Sequence, residues 1–242
     1  MNKSIIVTGC SGEIGSAICD KLIKSGYNIV GIDNKIPKTK LTKLKFIKLD
    51  LEKIASDKNY YLKNKKYIEK IIKGKKISGL IHSAAFQVFK KFNRLSYEDL
   101  RKSFDINFFS VFQLFKLVQK NLIFNKGFFI NISSIHSSLT KKNFTAYSTS
   151  KSALTSLTKS LSIEVGNKII CICIEPGAVD TNMLFKTIDK KNYYKFKNSI
   201  PVKKISQPED IAKLVLFLIE SKIEYMNGSI IDISGGVKNI LV

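Results

Sequence analysis

Apolar residues along the chain fall into two kinds of run that alternate from one end to the other. Short runs predict strands: Ile5-Ile6-Val7, Tyr27 to Ile32, Phe46-Ile47-Lys48-Leu49, Ile77 to Ile81, Phe128 to Ile132, Ile169 to Ile174 and Ser229 to Ile233. Between them, apolar residues recur with a helical period: Ala17, Ile18, Leu22 and Ile23; Tyr60, Tyr61, Tyr67, Ile68, Ile71 and Ile72; Phe104 to Val118; Leu154, Leu157 and Leu161; and Ile211 to Ile219. Ser96 reads as the cap of a helix starting near Tyr97, and Gln207-Pro208-Glu209-Asp210 as the first turn of another, with proline and acids where the helix dipole prefers them. Strand and helix alternating in this way predict an α/β fold: one doubly wound parallel sheet of about seven strands with helices on both faces. No repeat, linker or second core interrupts residues 1–242, so one domain is expected. Only 182–200 breaks the periodicity. With Tyr193, Tyr194 and Phe196 among lysines, it reads as a lid over a substrate.

The loop after the first strand adds chemistry to this frame. Thr8-Gly9-Cys10-Ser11-Gly12-Glu13-Ile14-Gly15 joins the first strand to the first helix. Glycines there allow a tight turn and let a pyrophosphate approach the positive end of the helix, as in Rossmann-like dinucleotide folds. Asp33 ends the second strand about twenty residues further on, where a carboxylate accepts from the adenosine ribose hydroxyls and repels a 2′-phosphate, favouring NAD over NADP. Lys35, Lys38 and Lys40 lie close by as possible phosphate partners, and a strand-end turn is the other reading of Asp33. Asp50-Leu51 closes the third strand, where adenine is expected. His82-Ser83-Ala84-Ala85 closes the fourth, its small residues permitting close approach of a cofactor and His82 serving as a structural hydrogen-bonding residue.

Composition narrows the partners. The formal net charge is +22, but Arg94 and Arg101 are the only arginines and the lysines spread from Lys3 to Lys238. Diffuse lysine without arginine forks or interleaved aromatics argues against specific nucleic-acid binding. The stretch from Ser56 to Lys76 is read as an amphipathic crossover helix with a solvated basic face. Cys10, Cys19, Cys171 and Cys173 fit neither a disulfide framework nor a zinc pattern, and the last two are read as core side chains. No metal is expected. With Met1-Asn2-Lys3-Ser4 running straight into the first strand and no apolar run of membrane length, a cytoplasmic protein without a membrane partner is expected.

Tyr147-Ser148-Thr149-Ser150-Lys151 places a phenol and an ammonium four residues apart on one helix face. A neighbouring cation favours the phenolate, so Tyr147 is expected to have a lowered pKa and to pass protons. Ser134 stands thirteen residues earlier in Asn131-Ile132-Ser133-Ser134, across a polar loop, where its hydroxyl would hold a substrate oxygen. Asn107, set among Phe104, Ile106, Phe108 and Phe109, is a buried amide in need of partners, water or backbone, and a candidate relay from Lys151 to solvent.

Taken together, Thr8-Gly9 through Gly15, Asn107, Ser134, Tyr147, Lys151, Pro176-Gly177 with Thr181, and Pro208-Glu209-Asp210 resemble the short-chain dehydrogenase/reductase family over essentially the whole chain. The resemblance implies hydride transfer between NAD(H) and a secondary alcohol or ketone, of 3-oxoacyl or sugar type. Tyr147 would be the proton donor or acceptor, Lys151 would lower its pKa and hold the nicotinamide ribose, Ser134 would polarise the carbonyl, and Asn107 would support the relay. A cofactor would lie along Gly9, Ser11, Gly12, Ile14, Gly15, Asp33, Asp50, Leu51, Ser83, Ala84, Tyr147, Lys151, Pro176, Gly177, Val179 and Thr181. The family also implies dimers or tetramers formed through the helices bearing Asn107 and Tyr147. Two departures stand out. Glu13 occupies the middle glycine position of the compact branch, with Gly12 one residue early as in the longer sugar-nucleotide branch, so its carboxylate is expected to point away from the pyrophosphate. His82-Ser83-Ala84-Ala85 replaces the compact branch's usual Asn-Asn-Ala-Gly. A non-catalytic dinucleotide sensor and an NAD-retaining sugar-nucleotide epimerase or dehydratase are the alternative readings.

Overall fold

The computed structural model describes residues 3–37, 42–188 and 190–240. Seven strands, β1 (Ser4–Thr8), β2 (Asn28–Asp33), β3 (Leu44–Lys48), β4 (Ile77–His82), β5 (Phe128–Ile132), β6 (Ile170–Pro176) and β7 (Ile230–Ile233), form one parallel sheet in the order β3-β2-β1-β4-β5-β6-β7. The helices are α1 (Glu13–Lys24), α2 (Leu51–Ser56), α3 (Lys58–Ile72), α4 (Tyr97–Phe104), α5 (Ser110–Phe124), α6 (Thr145–Glu164), α7 (Asn182–Phe185), α8 (Tyr193–Ser199) and α9 (Pro208–Ser221).

The pleat divides the apolar residues between two cores. Ile5 and Val7 of β1 face a layer with Ile18 and Leu22 of α1 and Ile211 and Val215 of α9, while Ile6 faces Ile68 of α3, Phe115 of α5 and Leu154 of α6. Both faces of the sheet are therefore covered, which is why its strands are continuous apolar runs rather than alternating ones. Strand order reverses between β1 and β4, and the crevice outside the carboxyl ends of the strands at that reversal is where such sheets bind ligands.

Three local features differ from the sequence reading. The crossover is two helices, because Asp57 adopts an extended backbone (φ −118°) and its carboxylate accepts from Tyr60 N, ending α2 and starting α3. β3 begins at Leu44, where pairing with Ile29 of β2 extends it. The long apolar helix contains a π-helical turn, Asp105–Phe109, between α4 and α5. Ser96 and Gln207 do begin helices, each within a capping box closed by Asp99 and Asp210. No helix among the described residues is long and apolar enough to cross a membrane.

Candidate active site

The glycine loop leaves β1 under tight steric control. Gly9 has φ +68°, and a Cβ there would lie 2.6 Å from Ala84 N; one on Gly15 would lie 2.0 Å from Gly9 O. A Cβ on Gly12 meets only Gly9 O, at 3.4 Å, so packing does not require that glycine. Gly12 is instead the N-cap of α1 and has no side-chain capping bond, so the N–H groups of the first turn keep their anion-binding character. Asp33 closes the floor of the loop: its carboxylate accepts from Ser11 N and Lys35 N, both at 3.0 Å, while Ser11 Oγ donates to Lys35 O. The half-exposed Asp33 carboxylate retains lone pairs for a ribose. This donor-rich loop, with a carboxylate at the end of the next strand, fits a dinucleotide. Lys38 and Lys40 lie outside the described residues.

The remaining cofactor candidates ring the same crevice, with some already engaged. Asp50 Oδ1 accepts from Glu52 N and Lys53 N as the cap of α2, whose first residue, Leu51, is buried. Ser83 follows β4, and its hydroxyl oxygen is buried without a partner among the described residues. Ala84 N donates to Thr8 Oγ1. Pro176 ends β6, Gly177 packs against Ser234, Val179 is buried, and Thr181 caps α7. Ile14 lies in the first turn of α1 beside Glu13. The Glu13 carboxylate turns toward the start of α7: Oε1 accepts from Asn182 N at 3.1 Å and from the Asn182 side-chain amide.

Ser134, Tyr147 and Lys151 converge beyond the carboxyl end of β5. Ser134 Oγ accepts from His136 N at 3.2 Å, leaving its own proton to donate. Tyr147 and Lys151 stack one turn apart on α6, with Lys151 Nζ 5.8 Å from the centre of the phenol ring and donating to Ile132 O at 2.8 Å. Both side chains are buried. Their electrostatics correct the sequence reading: burial pushes the Tyr147 phenol up to about 12, against the downward pull of the Ser134 hydroxyl, and brings Lys151 down to about 8. Dehydration outweighs the Ser134 hydrogen bond, so the resting site holds a neutral phenol.

Asn107 finds the backbone partners that a buried amide needs. In the π-helical turn its amide clamps the loop after β4, with Oδ1 accepting from Phe86 N (2.7 Å) and Nδ2 donating to Phe86 O (2.9 Å) and Ser150 Oγ (2.9 Å). It touches α6 between Tyr147 and Lys151 rather than the Lys151 ammonium. The extra residue of the π turn turns the amide inward. His82 does act as a hydrogen-bonding residue. Thr8 Oγ1 lies 2.8 Å from its Nδ1, and burial, then the Lys151 charge, bring the imidazole down to about 3, opposed by the Asn107 main chain. Cys171 and Cys173 are buried core thiols.

A carboxylate not singled out in the sequence supports the site. Glu175, buried in β6, accepts from Thr155 Oγ1 of α6 at 2.9 Å and from Ser137 on the loop after Ser134, and pairs with Lys238 Nζ at 2.6 Å. Its signal in the sequence was an acid ending an otherwise apolar strand.

Comparison with known proteins settles the ancestry of this site. Residues 9–238 match the family model described as enoyl-(acyl carrier protein) reductase. The chain belongs to the short-chain dehydrogenase/reductase family. It is 31% identical to the 3-oxoacyl-[acyl-carrier-protein] reductase FabG of Buchnera aphidicola subsp. Schizaphis graminum, with 97% of each chain covered. Its fold superimposes on the ligand-free aldohexose dehydrogenase of Thermoplasma acidophilum with a TM-score of 0.89 at 25% identity, covering 99% of this chain and 95% of that one. A 4-hydroxyisoleucine dehydrogenase complexed with NADH gives 0.87 at 25% identity, covering 99% and 100%. The protein is an oxidoreductase that transfers hydride on alcohol and keto groups.

Proposed function

We propose that this short-chain dehydrogenase/reductase is an NAD-dependent enzyme in which Tyr147 moves the proton, Ser134 orients the substrate oxygen and Lys151 steadies the charge left on the phenol. The observation that carries the reading is the meeting of a buried phenol, a serine hydroxyl beside it and a buried ammonium, with a glycine loop whose floor is Asp33. When bound, the nicotinamide supplies or accepts the hydride. In reduction, Ser134 donates its hydrogen bond to the carbonyl oxygen and Tyr147 gives that oxygen its proton; oxidation reverses both transfers. The high proton affinity of the Tyr147 phenol keeps the proton in place until negative charge develops on the substrate. The Lys151 ammonium then lies on the same helix face as the phenolate. Asn107 is a positioning residue, holding Phe86 and Ser150 where they border the site.

Asp33 supports NAD over NADP, because a 2′-phosphate would meet a carboxylate already fixed by two backbone N–H groups. The substrate is a secondary alcohol or its ketone of 3-oxoacyl or sugar type, in keeping with the names of the relatives. One domain with a lid over 182–200, a cytoplasmic setting consistent with four buried thiols, and a homodimer or homotetramer complete the proposal. The deciding experiment is the initial rate of NADH oxidation with 3-oxoacyl thioesters, 3-oxo acids and keto-sugars, repeated with NADPH. Tyr147→Phe should lower turnover by roughly 10²- to 10⁴-fold with NADH binding retained. Near-normal turnover in that variant would remove Tyr147 from the mechanism.

A further inference from the structure

Two basic side chains pack on Phe144, which meets the Tyr147 phenol edge to face, and among the described residues no carboxylate pairs with either one. His136 follows Ser134 by two residues, and its backbone N–H is bonded to the Ser134 hydroxyl, which anchors the imidazole at the edge of the site. Its ring centre lies 4.7 Å from that of Phe144 and 6.4 Å from that of Tyr147, and Phe144 meets Tyr147 edge to face at 5.8 Å. Lys141 folds back onto the same phenylalanine, with Nζ 4.4 Å from the ring centre. Phe89, on the loop held by Asn107, meets Phe144 edge to face at 5.6 Å, and Lys90 N donates to Asn143 O, so the two loops form one rim.

Charge on this rim is uneven. Lys90 is paired with Asp99, Lys102 with Glu52 and Lys238 with Glu175. Among the described residues neither Lys141 nor His136 has an acid within ion-pair distance, and no acid counts among the causes that shift them: burial lowers both, and for His136 the Lys141 charge adds to it. His136 Nδ1 lies 3.3 Å from Leu139 O, which only accepts, so the neutral imidazole carries its proton on Nδ1 and leaves Nε2 bare. Protonating Nε2 creates a second donor there, which an incoming anion would favour. The Lys141 ammonium, when charged, matches a monoanion.

We propose that His136 and Lys141, arranged around Phe144, form a carboxylate subsite, and that the substrate is a small oxo acid, or the hydroxy acid in the reverse direction, whose carboxylate lies within a few bonds of the reacting carbon. This rests on the oxidoreductase reading above and narrows it: a free acid is preferred over its ester or thioester. Binding the acid takes up a proton at His136.

The test compares 3-oxobutanoate with its methyl ester and a 3-oxobutanoyl thioester, under saturating NADH, in the wild type, Lys141→Gln and His136→Gln. The acid-to-ester ratio of kcat/KM should favour the acid, and each substitution should lower that ratio by roughly ten- to a hundredfold, chiefly through KM for the acid. A wild-type ratio near one, or variants that leave the ratio where it was, would overturn the subsite without touching the oxidoreductase reading. A second measurement does not need turnover. The chain has two histidines, and the His136 imidazole signals, assigned with His136→Gln, are followed by NMR as pH is varied with NADH present. Addition of 3-oxobutanoate or malonate should raise the pH at which His136 titrates, and Lys141→Gln should weaken that shift. Failure of both carboxylates to move the titration would refute the subsite. A shift in a protein that reduces none of the three compounds would support the subsite and count against the catalytic reading instead.

Discussion

Lys151 is a cation held where its charge is disfavoured. A fall from 10.5 to about 8 corresponds to on the order of 3 kcal/mol at neutral pH, of which the lost bond to Ile132 O would offset about 1 in a substitution. Lys151→Met should therefore raise stability at pH 7 by about 2 kcal/mol, or roughly 4–8 °C in Tm by calorimetry, while removing activity. The sign is checked by pH. Because the folded-state value is lowered, the unfolded chain binds the extra proton between about 8 and 10.5, so wild-type stability rises across that window and the gap to the variant closes. The same ionisation predicts that carbonyl reduction declines as pH rises through about 8, read as log kcat/KM against pH. Asp33 acts at the cofactor end. Asp33→Asn keeps an acceptor for Ser11 N but loses the charge, and should lower the preference for NADH over NADPH by roughly tenfold in kcat/KM.

Between elements, Glu175 joins four parts of the fold: β6, α6 through Thr155, the Ser134 loop through Ser137, and the turn carrying Lys238. Removing the cation leaves a buried carboxylate unpaired, so Lys238→Met should cost about 3 kcal/mol in urea unfolding, and adding Glu175→Gln should recover most of it. Elements were the most legible level of the sequence. Every strand and main helix follows from apolar spacing and caps such as Ser96 and Gln207. The break at Asp57 and the π turn around Asn107 escaped because each depends on a single residue's backbone choice. Apolar periodicity averages over such choices.

For the molecule as a whole, Phe109 and Phe112 on the π turn and α5 stand outward, 39% and 42% exposed, and are the residues to change in testing the proposed dimer or tetramer. Each copy brings a charge of +22, so association works against self-repulsion. Phe112→Glu should shift a dimer or tetramer toward monomer in sedimentation velocity, and rising salt should strengthen association of the wild type.

Local pattern by itself determined the strand and helix succession, the glycine loop with Asp33 at the next strand end, and the placing of Tyr147 one helix turn before Lys151. These depend on residue type and on spacing along one strand or one helix turn, which a linear chain displays directly. Tertiary structure alone decided that burial, not the neighbouring cation, governs the Tyr147 phenol, that Phe86 is the backbone partner of Asn107, and that Glu13 reaches Asn182. It also brought Glu175 to Lys238 and set His136 and Lys141 around one aromatic ring. Dehydration and partners distant in sequence arise only when the sheet closes, and no spacing in the chain encodes them.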